Sequence, residues 1–409
     1  MAGKDKKPDV RFSGLTDAWE QRRVEDLLSE VKRPIRMKDE EEYQLVTVKR
    51  RNEGIVSRGF FKGKDILVKS YFKLRSGDYL ISKRQVVHGA NGIVPKNLDG
   101  AIVSNEYLIA FGNKSITSEF LSLISKLPQM YKLFFLSSYG VDIEKLVFDV
   151  EDWKKRGITI PSVNEQNKIM LFFNNLDNLI SLHQRKYDKL MIVKKSMLEK
   201  MFPKHGANVP EIRFSGFINA WERYQLGELG RTQGGIGFPD DEQGGTEGIP
   251  FFKISDMNSV GNEHEMVISN NYVNKDQLKR KKWKPIENVP AIIFAKVGAA
   301  IMLNRKRLVR TPFLIDNNIM AYIYDESWDT NFGKALFETV NLPLYAQVGA
   351  LPSYNGSDIE RIEVKVPSKD EQELIGEFFR NIENLITLHR RKLEKLKNIK
   401  KAMLEKMFV

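Results

Sequence analysis

The feature that most constrains the fold of this chain is an internal repeat, because two copies of one sequence predict two copies of one structure. Residues 8–27, PDVRFSGLTDAWEQRRVEDL, return at 210–229 as PEIRFSGFINAWERYQLGEL. Residues 161–202 match residues 367–408 at about 25 of 42 positions, and both copies end in MLEKMF. We call these repeated segments the frame. The variable segments between them, about 28–157 and 230–361, show no such likeness.

Each copy of the longer repeat is predicted to be one long helix. Asn164 and Asp370 can cap the two helices, after strands that end at prolines. Apolar residues then recur at alternating steps of three and four, which is the spacing of a coiled-coil seam over about five heptads. Helices over 165–202 and 371–408 would each be roughly 57 Å long. Because neither could bury its stripe alone, we expect them to pack antiparallel.

The predicted seam contains equivalent positions of both helices. Its members are Ile169, Leu176, His183, Leu190, Met197, Ile375, Ile382, His389, Leu396 and Met403. For the histidine pair we expect a polar contact that fixes the coiled-coil register, and the alternative is a catalytic or metal-binding pair.

The variable segments are predicted to be globular domains of mixed strands and helices, so the fold class is α+β (mixed α/β). Clusters of β-branched and aromatic residues predict strands, and longer periodic stretches predict helices. In the first segment the strands are expected at 43–51, 54–61 and 101–111 and a helix at 118–136. In the second the strands are expected at 249–255, 264–273, 291–303 and 318–326 and a helix at 331–348.

Composition excludes several classes of function. The chain has no cysteine, which rules out disulfides, thiolate metal sites and cysteine nucleophiles, and its five histidines are scattered. No phosphate-binding loop of the form GxxxxGK[ST] is present, so we expect no cofactor in this chain. The longest apolar stretch is interrupted by Lys296 and is too short for a membrane span, and no signal peptide is recognisable. The expected location is the cytoplasm.

Basic residues cluster in the variable segments of a chain whose net charge is +12. Several clusters with aromatic residues between them are typical of contact with DNA or RNA, whereas a single basic run is usually a solvated face. In the first segment the candidates are Lys49, Arg50, Arg51, Arg58, Lys62, Lys64, Lys83, Arg84 and Gln85. In the second they are Lys279, Arg280, Lys281, Lys282, Lys284, Asn304, Arg305, Lys306 and Arg307. A nuclear-localisation role for KRKKWK is possible but leaves the duplication unexplained.

The frame resembles the specificity subunits of type I restriction–modification systems. The resemblance lies in the opening segments RFSGLTDAWE and RFSGFINAWE, and in ITIPSVNEQ and VKVPSKDEQ before the helices that end in MLEKMF. It covers essentially the whole chain, strongly in the frame and weakly in the variable segments.

The resemblance implies a non-catalytic, sequence-specific DNA-binding subunit. Its two target-recognition domains would each read one half of an asymmetric bipartite site in double-stranded DNA. The paired helices would act as spacer and as docking site for two modification (methyltransferase) subunits, joined by restriction (translocase/nuclease) subunits. S-adenosylmethionine, ATP and Mg²⁺ would serve those partners, which methylate adenine at N6 and cut DNA. No membrane partner is implied.

Two other functions stay open at this point. One is a coiled-coil scaffold or adaptor with incidental nucleic-acid binding, and the other is a stand-alone nuclease, for which no acidic cluster is found. The expected domains are an opening segment (1–19), a first recognition domain (20–157), a central helix (158–206), a repeated opening segment (207–221), a second recognition domain (222–361) and a C-terminal helix (362–409).

Overall fold

The computed structural model describes residues 7–68, 70–347, 349 and 351–409, and the chain divides into two compact units. The first unit comprises the chain up to Leu182 together with Leu393–Val409, and the second comprises His183–Lys392. Each long helix therefore gives residues to both units. No helix in the described part of the chain is long and apolar enough to cross a membrane.

The first unit contains two four-stranded sheets and several helices. Its strands are β1 (Glu20–Arg23), β2 (Leu28–Glu30), β3 (Glu42–Val48), β4 (Ile55–Lys62), β5 (Tyr71–Lys73), β6 (Tyr79–Ser82), β7 (Asn91–Ile93), β8 (Ile102–Ser104), β9 (Tyr107–Gly112), β10 (Ser138–Tyr139), β11 (Val147–Phe148) and β12 (Gly157–Ile160). Its helices are α1 (Ser118–Ile124), α2 (Pro128–Leu136), α3 (Val150–Lys155) and the first part of α4 (Val163–Lys200). The sheets have the orders β2-β9-β6-β7 and β4-β3-β8-β5, and β1 pairs with β12.

The second unit is built from the remaining elements. Its strands are β13 (Glu222–Gln225), β14 (Gly230–Gly234), β15 (Ile249–Phe252), β16 (Tyr272–Val273), β17 (Ala291–Ala295), β18 (Lys306–Val309), β19 (Leu314–Ile315), β20 (Ile319–Tyr324) and β21 (Glu363–Val366). Its helices are α5 (Lys275–Lys281), α6 (Thr330–Thr339), α7 (Gly356–Glu360), the last part of α4 and the first part of α8 (Lys369–Lys406). The last part of α8 belongs to the first unit. The sheets have the orders β14-β20-β17-β18 and β16-β15-β19, and β13 pairs with β21.

The two variable segments share one topology although their sequences are unlike. The order β2-β9-β6-β7 corresponds strand for strand to β14-β20-β17-β18, with antiparallel pairing throughout both sheets. In the other sheet, β3 lies between antiparallel β4 and parallel β8, as β15 lies between antiparallel β16 and parallel β19. The two sheets of one variable segment therefore have the same topology as the two sheets of the other, with different side chains.

The long helices run antiparallel in both units. In the first unit Phe173 packs on Phe408, with ring centroids 6.2 Å apart, and Asp177 pairs with Lys400, so residue numbers rise along α4 as they fall along α8. In the second unit Phe202 packs on Phe379, with centroids 6.0 Å apart, and Lys194 bonds Glu383. The predicted antiparallel pair of helices in an α+β protein is therefore confirmed.

The helix boundaries differ from the prediction where proline or a better cap intervenes. The helix expected at 118–136 is two helices, because Leu127 before Pro128 adopts an extended conformation. The helix expected at 331–348 ends at Thr339, shortly before Pro343, and residue 348 lies outside the described residues. The apolar run 291–303 is a strand only as far as Ala295, since a turn at Gly298 follows.

The predicted caps of the long helices are wrong by two residues. α4 begins at Val163, and the hydroxyl of Ser162 accepts a hydrogen bond from the Glu165 amide at 3.4 Å. Asn164 and Asp370 therefore lie inside the first turns of α4 and α8. Segment 264–273, expected as one strand, forms an isolated bridge between Glu265 and Leu308 and a strand only at β16.

Candidate nucleic-acid interface

Basic residues of the first unit meet at the tip of the β3–β4 hairpin. The turn after Lys49 is attached to the segment after β6, because the Arg51 amide donates to the His88 carbonyl at 2.7 Å. Arg50 forms an ion pair with Glu144 at 2.8 Å. Lys49 and Arg51 are exposed, and their side chains have no partner among the described residues. The turn thus presents two free cations on a fixed backbone.

The predicted residues Lys83, Arg84 and Gln85 lie in the same segment after β6. The Lys83 ammonium donates to the Asn105 carbonyl at 2.8 Å, and Arg84 pairs with Glu106 at 2.8 Å. The backbone carbonyl of Gln85 accepts a hydrogen bond from the backbone amide of His88. The structure therefore brings the 49–51 and 83–85 clusters together.

The remaining first-unit candidates lie on or just after β4. Lys62 and Lys64 both bond the carboxylate of Glu40, at 3.3 and 3.1 Å. Arg58 is exposed and has no side-chain partner among the described residues.

In the second unit the basic cluster lies at the end of α5. The buried carboxylate of Glu242 bonds Arg280 at 2.7 Å and Lys281 at 3.2 Å. These bonds, with that of Gln277, lower the pKa of Glu242 to about 2. The other predicted residues here, Lys279, Lys282 and Lys284, are exposed with no side-chain partner among the described residues. Glu242 therefore fixes a helix end from which three cations point into solvent.

The second predicted cluster of this unit, residues 304–307, is bonded to the protein itself. Lys306 donates to the Val340 carbonyl at 2.6 Å, and burial lowers its pKa to about 8. Arg307 donates to the carbonyls of Lys306 and Met257, and Asn304 bonds the backbone at Val340 and Leu342. Arg305 bonds the side chain of Asn258. These side chains attach β18 and the residues just before it to the rest of the second unit.

All ten predicted seam residues are at least half-buried. Ile169, Leu176, Ile375 and Ile382 are buried, and the remainder are partly exposed, namely His183, Leu190, Met197, His389, Leu396 and Met403.

The two histidines contact each other in the second unit. The Nδ1 atoms of His183 and His389 lie 2.8 Å apart, so one ring must donate a proton to the lone pair of the other. Burial, the neighbouring His183 and two lysines lower the pKa of His389. A hydrogen-bonded histidine pair fits the expected register contact within the seam.

A buried charge network in the second unit was not anticipated from the sequence. Glu383 of α8 bonds Lys194 of α4 at 2.7 Å and also bonds Lys334 of α6. Lys194 bonds Glu338 as well, and His264 lies 3.7 Å from Glu383. The histidine and the two carboxylates are close enough to share a metal ion. Because two ammonium groups already neutralise the carboxylates, the cluster is a salt-bridge network that joins α6 to the long helices.

The second contact that sequence reasoning missed belongs to the frame. Arg11 grips the buried carboxylate of Glu165 with two bonds of 2.7 and 2.6 Å, and Arg213 grips Glu371 with two bonds of 2.7 Å. The repeated RFSG and EQ sequences carry these residues, so the repeat itself was the available signal.

Comparison with known proteins gives one consistent result. The family model for the type I restriction modification DNA specificity domain matches this chain twice, at residues 16–191 and 219–398. The chain is also similar to the type I restriction enzyme MjaVIII specificity subunit of Methanocaldococcus jannaschii, with 22% identity over 427 residues that cover 95% of this chain and 92% of the relative.

Two solved structures share the fold. The S subunit of a type I restriction-modification system from M. genitalium aligns with a TM-score of 0.58 at 13% identity, over 98% of this chain and 99% of that chain. A chain from a study of complex assembly and conformational transition of the type I R-M system aligns with a TM-score of 0.51 at 16% identity, over 95% and 97%.

Proposed function

The chain belongs to the family of type I restriction modification DNA specificity proteins, and we propose that it directs methylation and restriction to an asymmetric bipartite DNA site. In this proposal each variable segment reads one half of the site. The observation that carries it is the pairing of one repeated topology with two unlike basic surfaces. A shared fold can present side chains to DNA in the same way twice, while different side chains select different bases.

The surfaces of the two units support unlike half-sites. The first unit offers cations on a β-hairpin, Lys49 and Arg51 at its tip and Arg58 on β4. The second offers Lys279, Lys282 and other cations at the end of a helix. A β-ribbon and a helix are both elements that fit the major groove of B-DNA, but they place their side chains differently.

The chemistry of the system is assigned to partner subunits. We propose that modification subunits methylate adenine with S-adenosylmethionine, and that restriction subunits use ATP and Mg²⁺ for translocation and cleavage. The specificity chain itself would select the site and hold the partners. Its described cluster of carboxylates is neutralised by lysines, which suits a structural role better than a catalytic one.

Repeat-related leucines on the long helices support docking of two modification subunits. In the first unit Leu179 and Leu182 are 43% and 39% exposed on α4. The equivalent Leu385 and Leu388 of α8 are both 45% exposed in the second unit. Exposed apolar side chains that recur in the repeat offer the same contact twice, which suits two copies of one partner.

Comparing cells with and without this chain tests the function. Cells that carry the modification gene should methylate adenine at one asymmetric bipartite sequence only when this chain is present, as read by methylome sequencing. Methylation of the same sequence in its absence would contradict the proposal. If the chain binds the modification subunit but leaves the methylated sequence unchanged, it is an adaptor.

Salt dependence tests the basic surface of the second unit. Replacing Lys279, Lys282 and Lys284 together by Gln should reduce the slope of log affinity against log salt concentration by up to about 3, because each lost phosphate contact lowers it by about 0.9. The measurement is DNA binding by the complex with modification subunits. The same change at Lys189, Lys195 and Lys200, exposed lysines of α4, is the matched control and should alter the slope less. An equal effect of both triple variants would refute the assignment.

A further inference from the structure

The β4 strand of the first unit is exposed along most of its length. It lies at the edge of the sheet β4-β3-β8-β5, and its six residues from Ser57 to Lys62 include Arg58, Phe60 and Phe61. The side chains of Phe60 and Phe61 are 65% and 37% exposed. Charges and bulges such as those of β4 protect an edge strand from aggregation, whereas exposed apolar side chains on an edge strand promote it. Two exposed phenylalanines on an edge strand therefore point to a contact with another molecule.

A β-bulge sets the position of Arg58 on this strand. Leu45 of β3 is opposite Gly59, whereas Val46 is opposite Ser57, so Arg58 is the extra residue. Gly59 has a φ of +109°, a conformation that glycine adopts readily and other residues do not. Bulges change the direction of a side chain and are frequent at functional sites. Here the bulge presents an arginine whose guanidinium has no partner among the described residues.

The turn at the end of the same hairpin presents a second arginine. Arg51 and Asn52 have φ values of 59° and 57°, as a two-residue type I′ turn requires. Such turns favour Asn-Gly, and an arginine in this conformation is uncommon. The turn is fixed from below, because the amides of Arg51 and Asn52 donate to the carbonyls of His88 and Gly89 at 2.7 and 3.0 Å. The Arg51 side chain thus extends from a rigid backbone.

We propose that the β3–β4 hairpin is the ribbon that enters the major groove at the half-site of the first unit, and that Arg51 and Arg58 are its specificity-determining residues. This inference rests on the proposed function. The major groove, about 12 Å wide, admits a two-stranded β-ribbon. A free guanidinium can bond O6 and N7 of guanine at once, and an exposed phenylalanine can contact a thymine methyl group.

The spacing of the two arginines sets the spacing of the bases they read. Arg58 lies six residues beyond Asn52 at the tip of the hairpin, so the two arginines are roughly 20 Å apart along the ribbon. At about 3.4 Å per base pair this corresponds to roughly six base pairs. The half-site is therefore expected to contain two guanines at that separation, on either strand.

Methylome sequencing of the whole system with substituted hairpins tests this inference. Arg58→Ala should relax the methylated sequence at one base pair of one half-site, with discrimination reduced roughly 5- to 150-fold. Arg51→Gly removes the side chain without straining the turn, and it should relax a second position of the same half-site. Arg58→Lys keeps the charge but loses the planar fork, so discrimination should fall while the salt dependence of binding is unchanged. The other half-site should remain as in the unaltered system.

Arg75→Ala is the matched control. Arg75 is exposed without a side-chain partner among the described residues, and it follows β5 at the opposite edge of the same sheet. It should leave both half-sites unchanged. If Arg58→Ala and Arg51→Gly also leave the methylated sequence unchanged, or only lower methylation evenly, the inference is overturned while the proposed function stands. If the unaltered system methylates no defined sequence, both are overturned.

Discussion

The frames of the two units make the same contacts residue by residue, whereas the domains inside them differ in charge and surface. Trp19 packs edge-to-face on Phe408 at 6.0 Å in the first unit, as Trp221 packs on Phe202 at 5.8 Å in the second. The amide of Val10 donates to the end of α8 at 3.0 Å, as that of Ile212 donates to the end of α4 at 2.9 Å. In both units the opening segment of one repeat thus binds the helix end of the other. The packing of the frame is the same in both units because equivalent residues of the two repeats make it.

One repeated position shows how far the units differ. Asp177 and Lys400 of the first unit occupy the positions that Glu383 and Lys194 occupy in the second, at the same offset of the repeat. The side chain of Asp177 is half exposed, whereas Glu383 is only 8% exposed. Glu383 also contacts Lys334 and His264. The same helix pair therefore carries a solvated ion pair in one unit and a buried network in the other. The domain packed against the helices decides which.

The largest expected difference between the units is the stability lost when the repeated carboxylate, Glu383 or Asp177, is removed. Glu383→Ala should lower the free energy of unfolding by about 3–5 kcal/mol, because it leaves buried ammonium groups without their carboxylate. Asp177→Ala, at the equivalent position in the first unit, should cost no more than about 1 kcal/mol. Chemical denaturation of both variants measures the difference, and equal losses would contradict the contrast between the units.

The frame should instead respond equally in both units. Arg11→Ala and Arg213→Ala each leave a buried carboxylate, of Glu165 or Glu371, without its guanidinium. Each should cost about 2–3 kcal/mol, as expected for lost hydrogen bonds to a buried charge. Denaturation curves of the two variants should agree within error. A large difference would show that the frame is not equivalent in the two units.

Acid should weaken the second unit first. Burial lowers the pKa of His264 to about 4, against about 6.5 in an unfolded chain. The unfolded chain takes up this proton first, so the stability that neutral His264 provides is complete above pH 6.5 and is lost as the pH falls towards 4. At pH 5 the loss should be about 2 kcal/mol.

Glu383 acts in a separate pH range. Burial opposes its charge, but Lys334 and Lys194 outweigh burial and lower its pKa to about 2, so its contribution is lost only below about pH 4.5. Between pH 7 and pH 5 the protection factors for amide hydrogen exchange should therefore fall more in α6 than in α1. His264→Asn is the control that should remove this difference. An equal fall of the protection factors in both helices would contradict the assignment.

Local sequence patterns predicted the two long helices of the frame. They did not predict the strand order or the buried ion pairs, because these depend on residues far apart in the sequence. The ends of α4 and α8 lie within two residues of the prediction, because heptad spacing is a local signal. Sheet order depends on pairing between remote strands such as β2 and β9, and no pattern in one sequence reports it. The network around Glu383 joins residues from three helices and a loop, so the sequence shows only isolated charges.

The candidate site was predicted by residue type but not by availability. Arg51, Arg58 and Lys282 are free among the described residues, whereas the equally basic Lys306 and Arg307 bond carbonyls of their own unit. A cluster of basic residues in a sequence does not show which side chains bond within the protein and which remain available to a ligand. Burial and partner geometry supply that distinction.

Exchange of one variable segment tests the central claim most directly. Residues 28–157 would be replaced by the corresponding segment of another member of the family, with both long helices and the second variable segment kept. Methylome sequencing of cells that carry the exchanged chain and the modification subunit then reads both half-sites at once. One half of the methylated sequence should change and the other should stay the same, because the frame is common to both units and cannot distinguish bases. If both halves change together, or if neither changes, recognition does not reside in separate variable segments.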